Sequence, residues 1–259
     1  MGISLACYHI LIKVPVLFLR DWRTMKVLII IPAYNEEESI VRVVDNLTNN
    51  FPEYDYVIIN DGSSDHTKEV CERHGYHLIS HKSNLGLAGA FQTGMKYADQ
   101  NRYDAAIQFD GDGQHLPEYI APMAEKLNEG YDIIIGSRFV TEKKPVSMRM
   151  FGNNLISSFI WLTTGKYLKD STSGMRMYNR RMIHLMANEL NMGPEPDTVA
   201  YLLRCGAKVA EIQVHMEERQ AGQSYLTPFK SMHYMSYVCL SILFISWFRK
   251  KKHLEEVKQ

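Results

Sequence analysis

The sequence predicts an α/β fold, a mostly parallel sheet with helices on both faces. Three observations carry this. Met25–Ile31 reads MKVLIII, a continuous apolar run typical of a strand buried on both faces. Short apolar runs then alternate with segments of helical period as far as Gly136. Polar segments follow three of these runs, where ligands bind in open α/β sheets, beyond the carboxyl ends of the strands. With 259 residues, 46% hydrophobic and 22% charged, the chain is not disordered, collagen-like or a polytopic membrane protein.

Met25–Ile31 is the first strand. Glu36–Asn49 follows with helical spacing of Ile40, Val43, Val44 and Leu47. Tyr56–Asn60 is a second strand, ending in Asp61-Gly-Ser-Ser-Asp65, where Ser64 or Asp65 is placed to cap a helix over Thr67–His74. His77–Ser80 is a short third strand, Gly86–Asp99 a helix and Ala105–Phe109 a fourth strand. Pro117–Asn128 is a helix opened by proline, and Asp132–Ile135 a fifth strand. Past Gly136 the pattern loosens. Helices are expected over Arg149–Thr163, Arg180–Asn188 and Asp197–Cys205, and strands over Gly174–Tyr178 and Lys208–Val214.

The ends differ from this body. Met25 is the expected natural start, which makes residues 1–24 a non-native or flexible extension; an interfacial anchor is the alternative. Ser231–Phe248 holds no Asp, Glu, Lys or Arg and runs into Arg249-Lys-Lys-Lys252. As a helix it is about 27 Å long, borderline for a bilayer span. A core helix, a membrane-surface helix and a span all stay open, and the basic cluster suits an anionic cytoplasmic membrane face. The formal net charge of zero is a sum of unlike parts: +2 over residues 1–24, −5 over 26–248 and +3 over 249–259. The absence of a basic body argues against nucleic acid. Cys7, Cys71, Cys205 and Cys239 are far apart with no CxxC pair, as expected of free thiols in a reducing compartment.

The chemistry is expected in Pro32-Ala-Tyr-Asn-Glu36, Asp61–Asp65 and Asp110-Gly-Asp-Gly-Gln114. Asp110 and Asp112 are alternate residues leaving a buried strand, and with the amide oxygen of Gln114 they offer hard oxygen ligands suited to Mg²⁺ or Mn²⁺. EF-hand spacing and the GxxxxGK[ST] loop are both absent. A nucleotidyltransferase would want a glycine-rich, basic loop after the first strand, whereas Pro32–Glu38 is acidic and has no glycine. The intact aspartates argue against a binding module without activity. His66, His81 and His115 show no ligand-like pairing and read as solvent-facing or local contacts.

Taken together, Pro32–Glu36, Asp61–Asp65, Asn84-Leu-Gly86, Asp110–Gln114 and Gly136-Ser-Arg138 resemble family 2 glycosyltransferases of the GT-A fold. The likeness is to the dolichol- or polyprenyl-phosphate mannosyltransferase-like branch, and Asp170-Ser-Thr-Ser-Gly-Met-Arg176 and Glu218-Arg-Gln-Ala-Gly-Gln-Ser224 also fit it. The resemblance covers roughly residues 26–225. It implies a Rossmann-like GT-A domain over residues 25–228, with a nucleotide-sugar half (25–138) and an acceptor half (139–228). An apolar helix and basic tail follow over 229–259.

The resemblance also implies roles. Pro32, Ala33, Tyr34 and Glu36 would line the base and ribose pocket of a UDP- or GDP-sugar, with Asp61 reading the base or ribose. Asp110, Gly111, Asp112 and Gln114 would surround the diphosphate, the two carboxylates and the amide holding Mg²⁺ or Mn²⁺. Arg138 would meet phosphate, and Arg149 is a looser candidate for similar work. Arg176 and Arg219 would meet the diphosphate or an acceptor phosphate. Ser173 and Gly174 would form a tight turn, and Ser224 a late donor-side contact. A lipid-phosphate acceptor is expected, with the enzyme peripheral on the cytoplasmic face of a membrane; a saccharide hydroxyl acceptor is the alternative. Hydroxyl transfer needs a carboxylate base, whereas a lipid phosphate is already anionic. Glu195 and Asp197, split by Pro196, depart from the family's adjacent Glu-Asp pair, and Asp170 is a second base candidate.

Overall fold

A computed structural model describes residues 25–190, 192–217 and 228–250. The expectations for residues 1–24, for Glu218–Ser224 with Arg219, and for the tail past Lys250 lie outside the described residues. Seven strands form one sheet: Val27–Ala33 (β1), Asp55–Asn60 (β2), Leu78–Ser80 (β3), Ala105–Gln108 (β4), Ile133–Ser137 (β5), Arg176–Asn179 (β6) and Val209–Gln213 (β7). The helices are Ile40–Asn50 (α1), Thr67–His74 (α2), Gly86–Gln100 (α3), Ile120–Asn128 (α4), Met148–Thr164 (α5), Arg180–Asn188 (α6), Pro196–Arg204 (α7) and Pro228–Phe248 (α8).

The strand order is β3-β2-β1-β4-β6-β5-β7. Every pairing is parallel except those of β6, which runs antiparallel between β4 and β5. The apolar run of β1 divides by alternation. Leu28 and Ile30 enter the core beneath α3, α5, α6, α7 and α8, while Val27, Ile29 and Ile31 enter the core beneath α1, α2 and α4. Helices therefore cover both faces, as the sequence predicts. The chain leaves β1 toward β2 and β3 on one side and returns to β4 on the other. The carboxyl ends of β1 and β4 thus form a switch point, where a crevice opens.

Several boundaries move for local reasons. The first helix begins at Ile40, not Glu36, because the loop after β1 is drawn sideways: the Glu36 and Glu37 N–H groups donate to Thr67 Oγ1 and Asp65 Oδ2. The expected helix from Pro117 opens as a 3₁₀ turn over Pro117–Tyr119 before α4. The strand expected from Gly174 starts at Arg176, since the Ser173 hydroxyl is bound to the Gly136 carbonyl at 2.5 Å. The N-cap of α2 is His66, which makes no side-chain capping bond, and Asp65 instead closes the turn before it by accepting from the N–H and hydroxyl of Thr67. Among the described residues no helix is long and apolar enough to cross a membrane.

Candidate active site

The loops after β1 and β2 are bound into one wall. Asn35 takes a left-handed φ of 57°, which asparagine tolerates better than most residues. Its N–H donates to Ser63 Oγ at 3.0 Å, and its side-chain oxygen accepts from Ser64 N–H at 2.8 Å. Ser63 and Asp65 are therefore spent on joining the loops. Gly62 (φ 66°) lies so close to the Ser83–Asn84 backbone that a Cβ would sit 2.6 Å from the Ser83 carbonyl carbon. We expect Gly62→Ala to lower stability by about 3 kcal/mol, combining a disfavoured φ with a backbone clash. Thermal melting checks this, and an unchanged Tm would refute it.

Asp61 is almost fully buried. Its Oδ1 accepts from the Leu85 N–H at 2.9 Å and from His81 Nδ1 at 2.7 Å, and His81 Nε2 reaches Thr93 Oγ1 at 2.9 Å. These contacts fix the carboxylate against the start of α3.

Asp110 and Asp112 leave β4 into the same crevice. The Asp110 N–H donates to His115 Nδ1 at 2.9 Å, which leaves the proton of a neutral imidazole on Nε2, 3.5 Å from Asp110 Oδ2. Gln108 Nε2 lies 3.3 Å from Asp110 Oδ1, and the buried Gln108 Oε1 has no partner among the described residues. Gly174 brings the turn after Ser173 against this group, where a Cβ would be 3.2 Å from Asp110 Oδ2. The Gln114 N–H donates to Asp112 Oδ1 at 3.0 Å, and its side-chain nitrogen approaches the Glu217 carbonyl at 3.3 Å.

Between these loops lies a cleft of about 300 Å³. Pro32, Ala33, Tyr34, Glu36, Asp61, Asp110, Gly111 and Asp112 all line it, together with Asn84, Gly86, Leu87 and Ala90. The lining therefore holds four carboxylates and no lysine or arginine. An anionic diphosphate would be repelled there unless a cation came with it. Among the described residues no three His, Cys, Asp or Glu side chains gather as a ligand set. The Asp110 and Asp112 carboxylates in the lining suit Mg²⁺ or Mn²⁺, ions that keep open positions for phosphate and water, while Gln114 is not among the lining residues.

Arg138, Asp170 and Arg176 lie outside the cleft lining. Arg138 and Asp170 form a two-pronged ion pair, with Nε to Oδ2 at 2.7 Å and Nη2 to Oδ1 at 2.9 Å. Asp170 is fully buried, and Asn153 Nδ2 also donates to its Oδ1. Arg176 is buried as well and donates to the carbonyls of Pro194 and Ser171, bracing the turn before β6. Glu195 accepts from the Tyr234 hydroxyl of α8, and Asp197 accepts from Ser241 at 2.5 Å. Burial, then the Glu195 carboxylate, push the Tyr234 phenol well above its ordinary range, so it remains a proton donor.

Sequence reasoning passed over Asn35, Gln108, Asn153 and the supporting roles of His81 and His115. Gln108 had a visible signal as a lone amide in a buried strand. His81 had none, because its partners Asp61 and Thr93 meet it only through the fold.

The family model for glycosyl transferase family 2 matches residues 28–185. The chain is 35% identical over 184 residues to a UDP-N-acetylglucosamine–dolichyl-phosphate N-acetylglucosaminyltransferase of Methanococcus voltae, covering 62% of this chain and 72% of the relative. It is 31% identical over 216 residues to an undecaprenyl-phosphate mannosyltransferase of Micrococcus luteus, covering 78% and 88%. In fold it resembles glucosyl-3-phosphoglycerate synthase from Mycobacterium tuberculosis, solved with Mn²⁺, UDP and phosphoglyceric acid. There the TM-score is 0.63 at 15% identity, over 88% of this chain and 81% of that one.

Proposed function

Since the chain belongs to glycosyl transferase family 2, we propose that it moves a sugar from a nucleotide-sugar donor to a polyprenyl phosphate, working peripherally at the cytoplasmic face of a membrane. One observation carries the choice of acceptor. Each carboxylate that stands as a candidate base is engaged elsewhere: Asp170 by Arg138, Glu195 by Tyr234 and Asp197 by Ser241. A hydroxyl acceptor needs a group to take its proton. A phosphate oxygen is already an anion at neutral pH and needs none. The moderate identity to dolichyl- and undecaprenyl-phosphate enzymes supports the same acceptor.

In this reading the wall from Pro32 to Glu36 and Asp61 holds the nucleoside. Asp110, Asp112 and Gln114 would hold Mg²⁺ or Mn²⁺, which when bound supplies charge neutralisation and Lewis acidity at the diphosphate. His115 and Gln108 keep Asp110 aimed into the cleft. Arg138 spends Nε and Nη2 on Asp170, and its remaining nitrogen, Nη1, is the one offered to phosphate. Nucleophilic attack at the anomeric carbon then inverts its configuration and releases a nucleoside diphosphate.

The test is a donor screen by released nucleotide, with UDP- and GDP-sugars, Mg²⁺ or Mn²⁺, and either a short polyprenyl phosphate or a saccharide acceptor. Turnover with the polyprenyl phosphate is expected. Turnover with a saccharide alone would replace this reading with hydroxyl transfer in cell-surface polymer synthesis.

A further inference from the structure

Helix α5 is apolar on both faces. Its outward positions Met148, Phe151, Leu155 and Leu162 fall three, four and seven residues apart on one stripe, joined by Trp161, and all are exposed. The buried face places Met150, Ile156 and Ile160 in the core, with polar Asn153 and Ser157 among them hydrogen-bonded to Asp170 and Ser171. A helix that only covered a core would be polar on its outward face.

Its neighbour α8 repeats the feature. Val238, Cys239 and Ile242 pack inward, while Tyr237, Leu240, Phe244, Trp247 and Phe248 point out. The two helices lie in close contact at Gly152, where a Cβ would run into the Met235 side chain. Tyr234 to Glu195 and Ser241 to Asp197 fasten α8 to α7, and Arg204 Nη1 donates to the Ile245 carbonyl at 2.8 Å. So α8 is held firmly while a row of large apolar groups stays uncovered. Exposed apolar area of this kind marks an interaction surface.

Charge identifies the occupant. From Lys143 to Lys169 the sequence holds Lys143, Lys144, Arg149, Lys166 and Lys169 and no acidic residue. From Pro228 to Lys252 it holds Lys230 and the run Arg249–Lys252, again with no acidic residue. Acidic residues outnumber basic ones in the rest of the chain. Apolar stripes flanked by cations, on helices that do not span, match an anionic lipid surface.

We infer that the outward stripes of α5 and α8 together form the seat on which the protein rests on an anionic bilayer. The inference rests on the lipid-acceptor reading for its purpose, but its test contains no donor and no acceptor, so either can fail alone. Purified full-length protein is sedimented with phosphatidylcholine vesicles, with and without about 30 mol% phosphatidylglycerol, at about 0.15 M salt. Partition at least about tenfold stronger with the anionic lipid is expected. Phe151→Glu/Leu162→Glu on α5 and Phe244→Glu/Trp247→Glu on α8 should each weaken it about tenfold or more. A readout without disruptive substitutions uses a Trp22→Phe background, where acyl-brominated lipid should quench emission from Trp161 and Trp247. Equal binding to neutral vesicles, no loss in either double variant, or no quenching would overturn the inference. So would light scattering that shows the stripes instead pairing two copies of the chain.

Discussion

Asp112→Ala is expected to cut sugar transfer by about 10³-fold in Mn²⁺, on the order of 4 kcal/mol of transition-state stabilisation. The reasoning begins with the cleft. Glu36, Asp61, Asp110 and Asp112 line it, with no basic side chain among its lining residues. A nucleoside diphosphate brings more negative charge and gains more as the sugar leaves. In the proposed function only a divalent cation reconciles these charges, and Asp112 is the more buried of its two carboxylate ligands. Calorimetry should show nucleotide binding lost with the activity, and chelation of wild type should reproduce both losses. The isosteric Asp112→Asn separates this from misfolding. Without metal it removes one of four acidic groups in one cleft, so it should melt no lower than wild type. Full turnover by either variant would refute the assignment.

Asp170→Asn should fail for a different reason. The Asp170 carboxylate is fully buried and grips Arg138 at 2.7 and 2.9 Å. Breaking a buried ion pair from one side typically costs about 3–5 kcal/mol, because the remaining charge loses its partner. A clear drop in Tm is expected, along with transfer reduced about 10²-fold as Arg138 loses its orientation. A double-mutant cycle distinguishes this from a proton-accepting role. If Asp170 acts through Arg138, then Arg138→Ala gives a similar loss, and the double variant is little worse than either single one. If Asp170 is a base, the two losses multiply and the pH–rate profile of Asp170→Asn loses its acidic limb.

How far the sequence reached follows from how local each signal was. β1 was readable because seven residues carry its pattern, and the site segments because each is contiguous. Eight of the residues expected around the nucleotide, from Pro32 to Asp112, line one cleft, whereas Gln114 is not among its lining residues. The antiparallel β6 gave no such sign. Its four residues, Arg176–Asn179, are too few for periodicity to show direction, and pairing with β4 and β5 joins segments about 40 to 70 positions away. The partnership of Arg138 and Asp170, 32 positions apart, is equally invisible to short-range reading. In α5 the sequence showed a helix but not its orientation, since apolar residues stand on both its buried and its outward face.

The anchoring of Asp61 has a consequence for donor choice. His81 and the Leu85 N–H both bind Oδ1, and neither binds Oδ2. In the proposed pocket that second oxygen can only accept, so what it recognises is polarity and not ring shape. It welcomes an edge that offers a proton, such as uracil N3–H, guanine N1–H or a ribose hydroxyl, and repels the lone-pair edge of cytosine. An asparagine amide at the same point could turn its NH₂ outward and reverse that preference, leaving the surrounding wall as it is.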